Sequence, residues 1–323
     1  MATAEEFFSL QRDYWDQVAE NDGFDLESVS VPSSMIGRIT GLIPYDCVGQ
    51  LYPYPILVNL YAKAGLHRYN MLQGTNFKLA SLIKFNMLQN CVSSFYMTLL
   101  AHDPADSSLE KTFQVQVDEQ KYGTLDMGVS IARPKGEVTS EKPFIPHSYG
   151  GAFADDDIFK GELPDWPSDG DLKDETRFYV VKESEWRATD WIFMYLELAV
   201  CANDRSITDM RQKTEVMSQL EIVKVAIETA NGDVEPPIER LKAKSANVYI
   251  TFKGLEEPRA PRRLFEVGVD LERKAIVRRV IDEHTGDLKL VGKLCGGQYH
   301  KRPWLARQKR EETQSCEKRA RLG

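Results

Sequence analysis

Apolar residues first recur at helical spacing in residues 3–20, where Phe7, Phe8, Tyr14, Trp15 and Val18 can share one face. A Gly-, Pro- and Ser-rich stretch over 28–55 reads as extended chain with turns. The helical period returns over 56–72 with Leu57, Leu60, Tyr61 and Ala64. Gln73–Asn76, "QGTN", ends it, because Gly74 and Asn76 both tolerate turn geometry. The period then drops to two. Strands are expected at Phe77–Asn86, Ser93–Ala101, Thr112–Val117 and Thr124–Ala132. In the third, Phe113, Val115 and Val117 share a face, and Thr112, Gln114 and Gln116 point away. One helix followed by an antiparallel meander buries one face of each element.

Residues 133–176 interrupt the pattern. They hold Pro134, Pro143, Pro146, Pro164 and Pro167, and residues 155–175 carry nine Asp/Glu against two Lys. A linker or long surface loop is expected there. Periodicity restarts at Phe178. Asp190–Ala202, "DWIFMYLELAVCA", is apolar at nearly every position and reads as a buried strand with a helix close behind. Leu220–Ala230 and Asn247–Gly254 alternate as strands. "ERLKAKSA" before the second suits a short helix. "LFEVGVDLERKAIVRRVIDE" and "LKLVGKL" add two or three strands separated by the turn "HTGD". The fold class is therefore α+β. The expected division is an N-terminal helix and extended segment (1–49), a helix-on-sheet domain (50–135), an acidic linker (136–177), a second α+β domain (178–300) and a basic tail (301–323). The two halves share a loose helix-then-sheet order and no residue-level repeat.

The 323 residues suffice for two domains, and no apolar run is long enough to span a membrane. The start, "MATAEEFFSLQRDYWDQ", lacks the features of a signal peptide. Five separated cysteines without a C-x-x-C pair fit reduced thiols, so the expected location is the cytoplasm, with the nucleus as alternative. Net charge is −8, but residues 301–323 carry a local +5. An acidic body disfavours nucleic-acid binding. The counter-indication is a basic cluster of Arg259, Arg262, Arg263, Arg273, Lys274, Arg278 and Arg279, followed by the tail. Lys309-Arg310 and Lys318–Arg321 faintly match a split nuclear signal.

Chemistry is sparse. No phosphate-binding glycine motif, H-E-x-x-H or G-x-S-x-G is present. Cys91 and His102 sit at opposite ends of a strand, which holds a thiol and a base apart. His147-Ser148 has no identified third partner. Asp155–Asp157 lacks the spacing of a calcium loop and reads as a solvated acidic loop. "LCGGQYHKRPW", residues 294–304, reads as a C-terminal turn. No catalytic residue, cofactor or metal site is assigned.

"YAKAGLHRYN", Tyr61–Asn70, resembles the helix signature of plant cystatins at Ala62, Lys63, Tyr69 and Asn70, with near-matches at Gly65 and Leu66. The following "FYMTLLA" is similar to that family's "YYLTLEA". The resemblance covers about residues 50–133 and implies a cystatin-like domain. Cystatins clasp peptidases with an N-terminal glycine, a Q-x-V-x-G hairpin and a Pro-Trp hairpin. Here the first hairpin reads "QNCVSS", with Gln89, Asn90, Val92, Ser93 and Ser94, and no glycine follows. The second, "DEQKYG", offers Lys121 and Tyr122 but neither Pro nor Trp. Gly49 stands where an N-terminal glycine is sought. Over nearly its full length the chain also resembles a plant-specific, mustard-family set of uncharacterised paralogues related to the male-sterility-five proteins. "YWDQVAENDGFDLESV", "GLHRYNMLQGTNFKLASLIKFN" and "LEIVKVAIETANGDVEPPIERLKAKSANVYITFKG" carry that likeness. It implies links to reproductive or embryo development and no activity. The expectation is a non-enzymatic intracellular protein that binds an unknown protein through open sheet faces and the loops around Gln89–Ser94 and Asp118–Gly123. A divergent cysteine-protease inhibitor is the first alternative, and a nuclear nucleic-acid-associated protein the second.

Overall fold

The computed structural model describes residues 4–31, 41–88, 90–137, 144–147, 157–203, 214, 217–230, 236–254 and 272–295. Ten strands form one sheet, antiparallel throughout. They are β1 (Leu42–Asp46), β2 (Lys78–Leu88), β3 (Ser94–Asp103), β4 (Asp106–Glu119), β5 (Leu125–Pro134), β6 (Phe178–Val181), β7 (Glu221–Glu228), β8 (Ala246–Lys253), β9 (Arg273–Ile281) and β10 (Leu288–Cys295). The spatial order is β1-β2-β3-β4-β5-β10-β9-β8-β7-β6. The α-helices whose whole span is described are α1 (Ala4–Ala19), α2 (Pro55–Gln73), α3 (Glu183–Arg187) and α4 (Asp190–Asn203).

Each half runs strand, long helix, then a four-stranded meander. The first half is β1, α2 and β2–β5; the second is β6, α4 and β7–β10, with α3 inserted. The halves join edge to edge, where Met127 of β5 faces Leu290 of β10. The sheet therefore continues across the boundary of the expected 50–135 domain, and β1 lies just before it. Nearest-neighbour hairpins explain the local order, since antiparallel strands need only short connections. The β3–β4 link is tighter than "HDPADSS" suggests: Asp103 already faces Asp106.

Both long helices lie on one face of the sheet and touch each other. Leu57, Tyr61 and Ala64 of α2 are buried as their spacing predicts, but so are Val58, Ala62 and Leu66. A single stripe would suffice against a sheet; the wider burial comes from α4 alongside. Gly65 marks the closest approach, because a Cβ there would collide with the Val115 side chain of β4.

Asp190–Ala202 is a correction. It is helix α4, not a strand. Ile192, Tyr195, Leu196, Leu198, Ala199 and Cys201 are all buried. A helix wedged between a sheet and a second helix is apolar nearly all round, so its 3.6-residue period disappears. "ERLKAKSA" yields a short 3-10 segment, Pro237–Lys242.

The opposite face of the sheet is also covered. In the first half, α1 and the turn after it pack Tyr14, Val18 and Phe24 against Leu42, Leu88 and Tyr96. In the second, Leu172, Trp166 and Leu163 pack on Phe178, Ala226, Tyr249 and Ile276.

Candidate functional site

The two ends of α2 present different surfaces. Its N-terminal half lies at the hairpin end of the first half. There Tyr61 Oη donates to Glu119 Oε1 (2.6 Å), and the Ser93 N–H donates to Glu119 Oε2 (3.0 Å). One buried carboxylate thus ties the helix to both hairpins. Ser93 Oγ donates to Leu88 O (2.6 Å) and closes the first hairpin on itself. Ser94 Oγ donates to Asp118 Oδ1 (2.5 Å) and lies 2.6 Å from His147 Nδ1. With the serine proton spent on Asp118, the imidazole must carry its own proton on Nδ1 to complete the contact.

This arrangement brings His147 to a serine other than Ser148, which lies outside the described residues. It is not a nucleophilic triad. The serine stands between acid and histidine, whereas catalysis needs the histidine between serine and acid. Ser94 is also fully buried. Burial holds the His147 imidazole below its usual pKa. Cys91 is exposed in the first hairpin, and the length of β3 separates it from His102 near the strand's other end.

The predicted loop residues divide. Asn90, Lys121 and Tyr122 are exposed and Val92 is half-buried. Ser93 and Ser94 are interior and serve the hairpin's own geometry, which removes them from any contact surface. Gln89 lies outside the described residues. Gly49 is displaced from its expected place: it follows β1, whereas Gly41 precedes it. Leu42 faces Leu88, so Gly41 is the glycine beside the first hairpin. Tyr14 of α1 occupies the space above it. A Cβ on Gly41 would fall 2.5 Å from Tyr14 Oη, which accepts the Leu42 N–H at 2.8 Å.

Sequence reading missed the loop between β1 and α2. It exposes Val48, Leu51 and Tyr54, with Leu51 97% accessible. Tyr54 adopts φ 55° and ψ 42° at the helix start, a left-handed conformation uncommon for an aromatic residue. Three large apolar residues within seven positions were the available signal.

The C-terminal half of α2 lines an open groove of about 1030 Å³ shared with the start of β2, α3, α4 and the start of β7. Leu66, Met71, Trp191, Phe193, Met194 and Ile222 supply apolar walls. His67 lies in its lining, buried, with Nε2 2.9 Å from Tyr195 Oη and its ring stacked on Trp191 at 5.6 Å. Burial, then the charges of Arg279 and Lys78, hold its pKa well below the ordinary value. Burial pushes the Tyr195 phenol up to about 12. Burial also raises the Glu197 carboxyl, against the pull of Lys63. Behind Trp191, 4.6 Å from its ring, lies the inaccessible guanidinium of Arg279. It donates to the carbonyls of Leu241 (3.1 Å) and Ala243 (2.5 Å). Among the described residues it forms no ion pair with a carboxylate.

Arg273, Arg278 and Arg279 of the basic cluster are buried in the sheet and cannot reach a phosphate backbone. Arg259, Arg262, Arg263, the tail, Asp155, Asp156 and residues 296–304 lie outside the described residues. Among the described residues no group of three or more His, Cys, Asp or Glu could hold a metal, and no helix is long and apolar enough to cross a membrane.

A family model described as Protein MS5 matches residues 163–290, which include most of the second half. The chain is 55% identical to UPF0725 protein At1g23970 of Arabidopsis thaliana, over 100% of this chain and 98% of that protein. It is 61% identical to UPF0725 protein At1g23960 of the same plant, over 92% and 97%. The chain belongs to the UPF0725 family of MS5-related plant proteins. A crystal structure of MS5 from Brassica napus matches with a TM-score of 0.55 at 31% identity, covering 75% of this chain and 99% of that one. The UPF0725 chain thus shares an MS5-like architecture, and its relatives' names assign no reaction.

Proposed function

We propose that this protein is a non-enzymatic protein-interaction module built on a cystatin-like scaffold. The carrying observation is a set of apolar side chains exposed on two loops of the first half. Leu51 is 97% exposed in the loop after β1, where Val48 and Tyr54 are also more than half exposed, and Tyr122 of the second hairpin is more than half exposed too. Large apolar side chains held in water on loops of a rigid sheet favour contact with another protein. The order strand, helix, four-stranded meander supports the cystatin likeness, and the resemblance to male-sterility-five proteins points the biology toward reproductive or embryo development. The proposed location is the cytoplasm, with the nucleus as alternative.

The peptidase-inhibitor alternative fares worse. A cystatin-type wedge needs its N-terminal glycine accessible, and Tyr14 sits on Gly41. The test is affinity capture from plant reproductive tissue with the full chain and with a Leu51→Asp, Tyr122→Asp variant. Partners held by the wild type and lost by the variant support the reading. An identical set from both refutes this surface. Stoichiometric inhibition of a papain-like protease by the full chain would instead favour the alternative.

A further inference from the structure

We propose that the groove between the C-terminal half of α2 and α4 binds a small organic anion with an apolar body. The site lies at the other end of α2 from the protein-binding loops and is independent of them.

Size comes first. A volume of about 1030 Å³ lies at the upper end of the range of about 300–1,000 Å³ typical of small-molecule sites. The walls are two-sided. Leu66 and Met71 come from one half, and Trp191, Phe193, Met194 and Ile222 come from the other. An apolar body entering between them would shed water from both itself and the walls.

Charge decides the ligand's polar end. The protein as a whole is acidic, at −8, yet the groove carries Lys63, Lys78, Arg187 and Lys242. Its acidic side chains are Asp190, Glu197 and Glu221. Lys78 is paired to Asp190 at 2.7 Å, Arg187 to Glu183 at 2.7 Å and Lys242 to Glu239 at 2.9 Å, and burial raises the Glu197 carboxyl. Behind the wall, Arg279 adds a desolvated positive charge that no carboxylate offsets among the described residues. Its field and that of Lys78 both reach His67 in the lining. A charge in a low-dielectric wall acts over a longer distance than one in water. A carboxylate or sulfonate beside His67 would meet the field of Arg279 favourably and would compete with Asp190 for Lys78, while a cation or a neutral polar group would not.

The test uses the full chain and two probes with one ring system. One is 8-anilinonaphthalene-1-sulfonate, and the other is the neutral N-phenyl-1-naphthylamine. Binding is followed by probe fluorescence and by energy transfer from tryptophan, with stoichiometry from equilibrium dialysis. The expected result is one saturable site that takes the sulfonate at least about tenfold more tightly than the neutral probe, equivalent to about 1.4 kcal/mol. Decanoate should displace the sulfonate, and decanol should not. Lys78→Glu with Lys242→Glu should weaken the sulfonate about tenfold or more and leave the neutral probe unchanged. Both lysines are at the rim, so the variant should keep its circular dichroism and melting temperature. Trp191→Phe should lower energy transfer without abolishing binding. Equal affinity for the two probes, no saturable site, or a charge-reversed variant that binds like wild type would overturn the proposal.

Discussion

The two halves of the sheet share an order of elements but close their ends and backs by different means. The second hairpin of the first half leaves Lys121 and Tyr122 in solvent. Its counterpart in the second half, residues 282–287, is pressed onto α2, where Gly286 O accepts the Arg68 Nε–H at 2.7 Å. One half therefore packs its hairpin into the junction, and the other leaves it exposed. The backs differ in chemistry. The first is covered through ion pairs: Lys84 with Asp25 (2.7 Å) and Glu27 (2.6 Å), and Arg133 with Asp22 (2.6 Å). The second is covered through backbone. Arg278 donates to the carbonyls of Ile158, Phe159, Lys160, Gly161 and Glu162 at 3.0–3.4 Å. The difference implies that the N-terminal segment is held by a salt-sensitive contact and the linker by one that salt barely affects.

The largest effect is expected at Glu228, the buried acid of the second half. It accepts from Arg177 Nε (2.6 Å), Asn247 Nδ2 (2.9 Å) and Tyr249 Oη (2.6 Å). Glu228→Ala strands the buried Asn247 and Tyr249 donors, while Arg177, whose side chain is 57% exposed, turns to water, so the loss should be about 3 kcal/mol. Urea denaturation should show the loss. If the halves are one cooperative unit, as the β5–β10 pairing implies, a single transition moves as a whole. A split transition, with only one half shifted, would show that the shared sheet does not couple them.

Arg278→Met removes the guanidinium at the centre of the five carbonyls. Charged hydrogen bonds contribute about 1.5–3 kcal/mol each at most, and the net loss should be about 2 kcal/mol because the carbonyls can turn to water. The specific readout is proteolysis. Cleavage within 157–173 should accelerate, while cleavage within 4–31 stays unchanged. Equal acceleration of both would mean that the two covers are not independent.

Much of this comparison was readable in the chain, and the unread parts have definite causes. Alternation placed Phe113, Val115 and Val117 on the core side of β4 and Gln114 and Gln116 on the other, as the structure has them. It could not show that the second face is buried too, because the cover comes from α1 and from 144–147, distant in sequence. Gln116 Nε2 meets Asp118, and Gln114 Oε1 meets Arg133, in an interior that composition alone assigns to solvent. α4 was misread for a related reason: burial on all sides erased its period. The groove was invisible because its walls come from two halves that no local pattern connects. Of the loop residues, Lys121 and Tyr122 were legible as a polar turn. Ser93 and Ser94 look equally polar, and only the reach of Glu119 and Asp118 from the next strand explains their burial.

Acid should weaken the seam between the halves. His67 is neutral in the folded protein, its pKa held well below 6.5 by burial and then by Arg279 and Lys78. The unfolded chain binds a proton near pH 6.5. Stability is therefore intact above that value and falls as pH drops through it, with a slope of at most about 1.4 kcal/mol per pH unit from this residue. His147, lowered by burial at the first half's back, acts in the same direction. Urea midpoints at pH 7.5 and 5.5 should differ clearly in the wild type. His67→Gln should reduce the difference, and the remainder should disappear on adding His147→Gln. An unchanged difference in His67→Gln would place the acid sensitivity outside the seam.

The smallest effect tests the contrast most directly. Lys84→Met removes a cation shared by Asp25 and Glu27, whose side chains are part-exposed and exposed. Partly exposed pairs are worth about 0.2–1 kcal/mol, and salt screens them. Hydrogen exchange at the Leu42 amide, which donates to Tyr14 Oη, reports whether α1 is seated. In the wild type, raising salt from 0.1 to 1 M should speed this exchange severalfold. In Lys84→Met the exchange should start faster and respond less to salt. Asn86 would still hold the turn, since its Nδ2 donates to the carbonyls of Gly23 (2.7 Å) and Phe24 (3.0 Å), neither of which is charged. The residual protection in the variant at high salt therefore measures what those amide contacts, the packing of Tyr14, Val18 and Phe24 and the half-buried Arg133–Asp22 pair supply. If wild-type exchange ignores salt, the first half's cover rests on that packing alone, and the contrast in chemistry between the two backs has no energetic meaning.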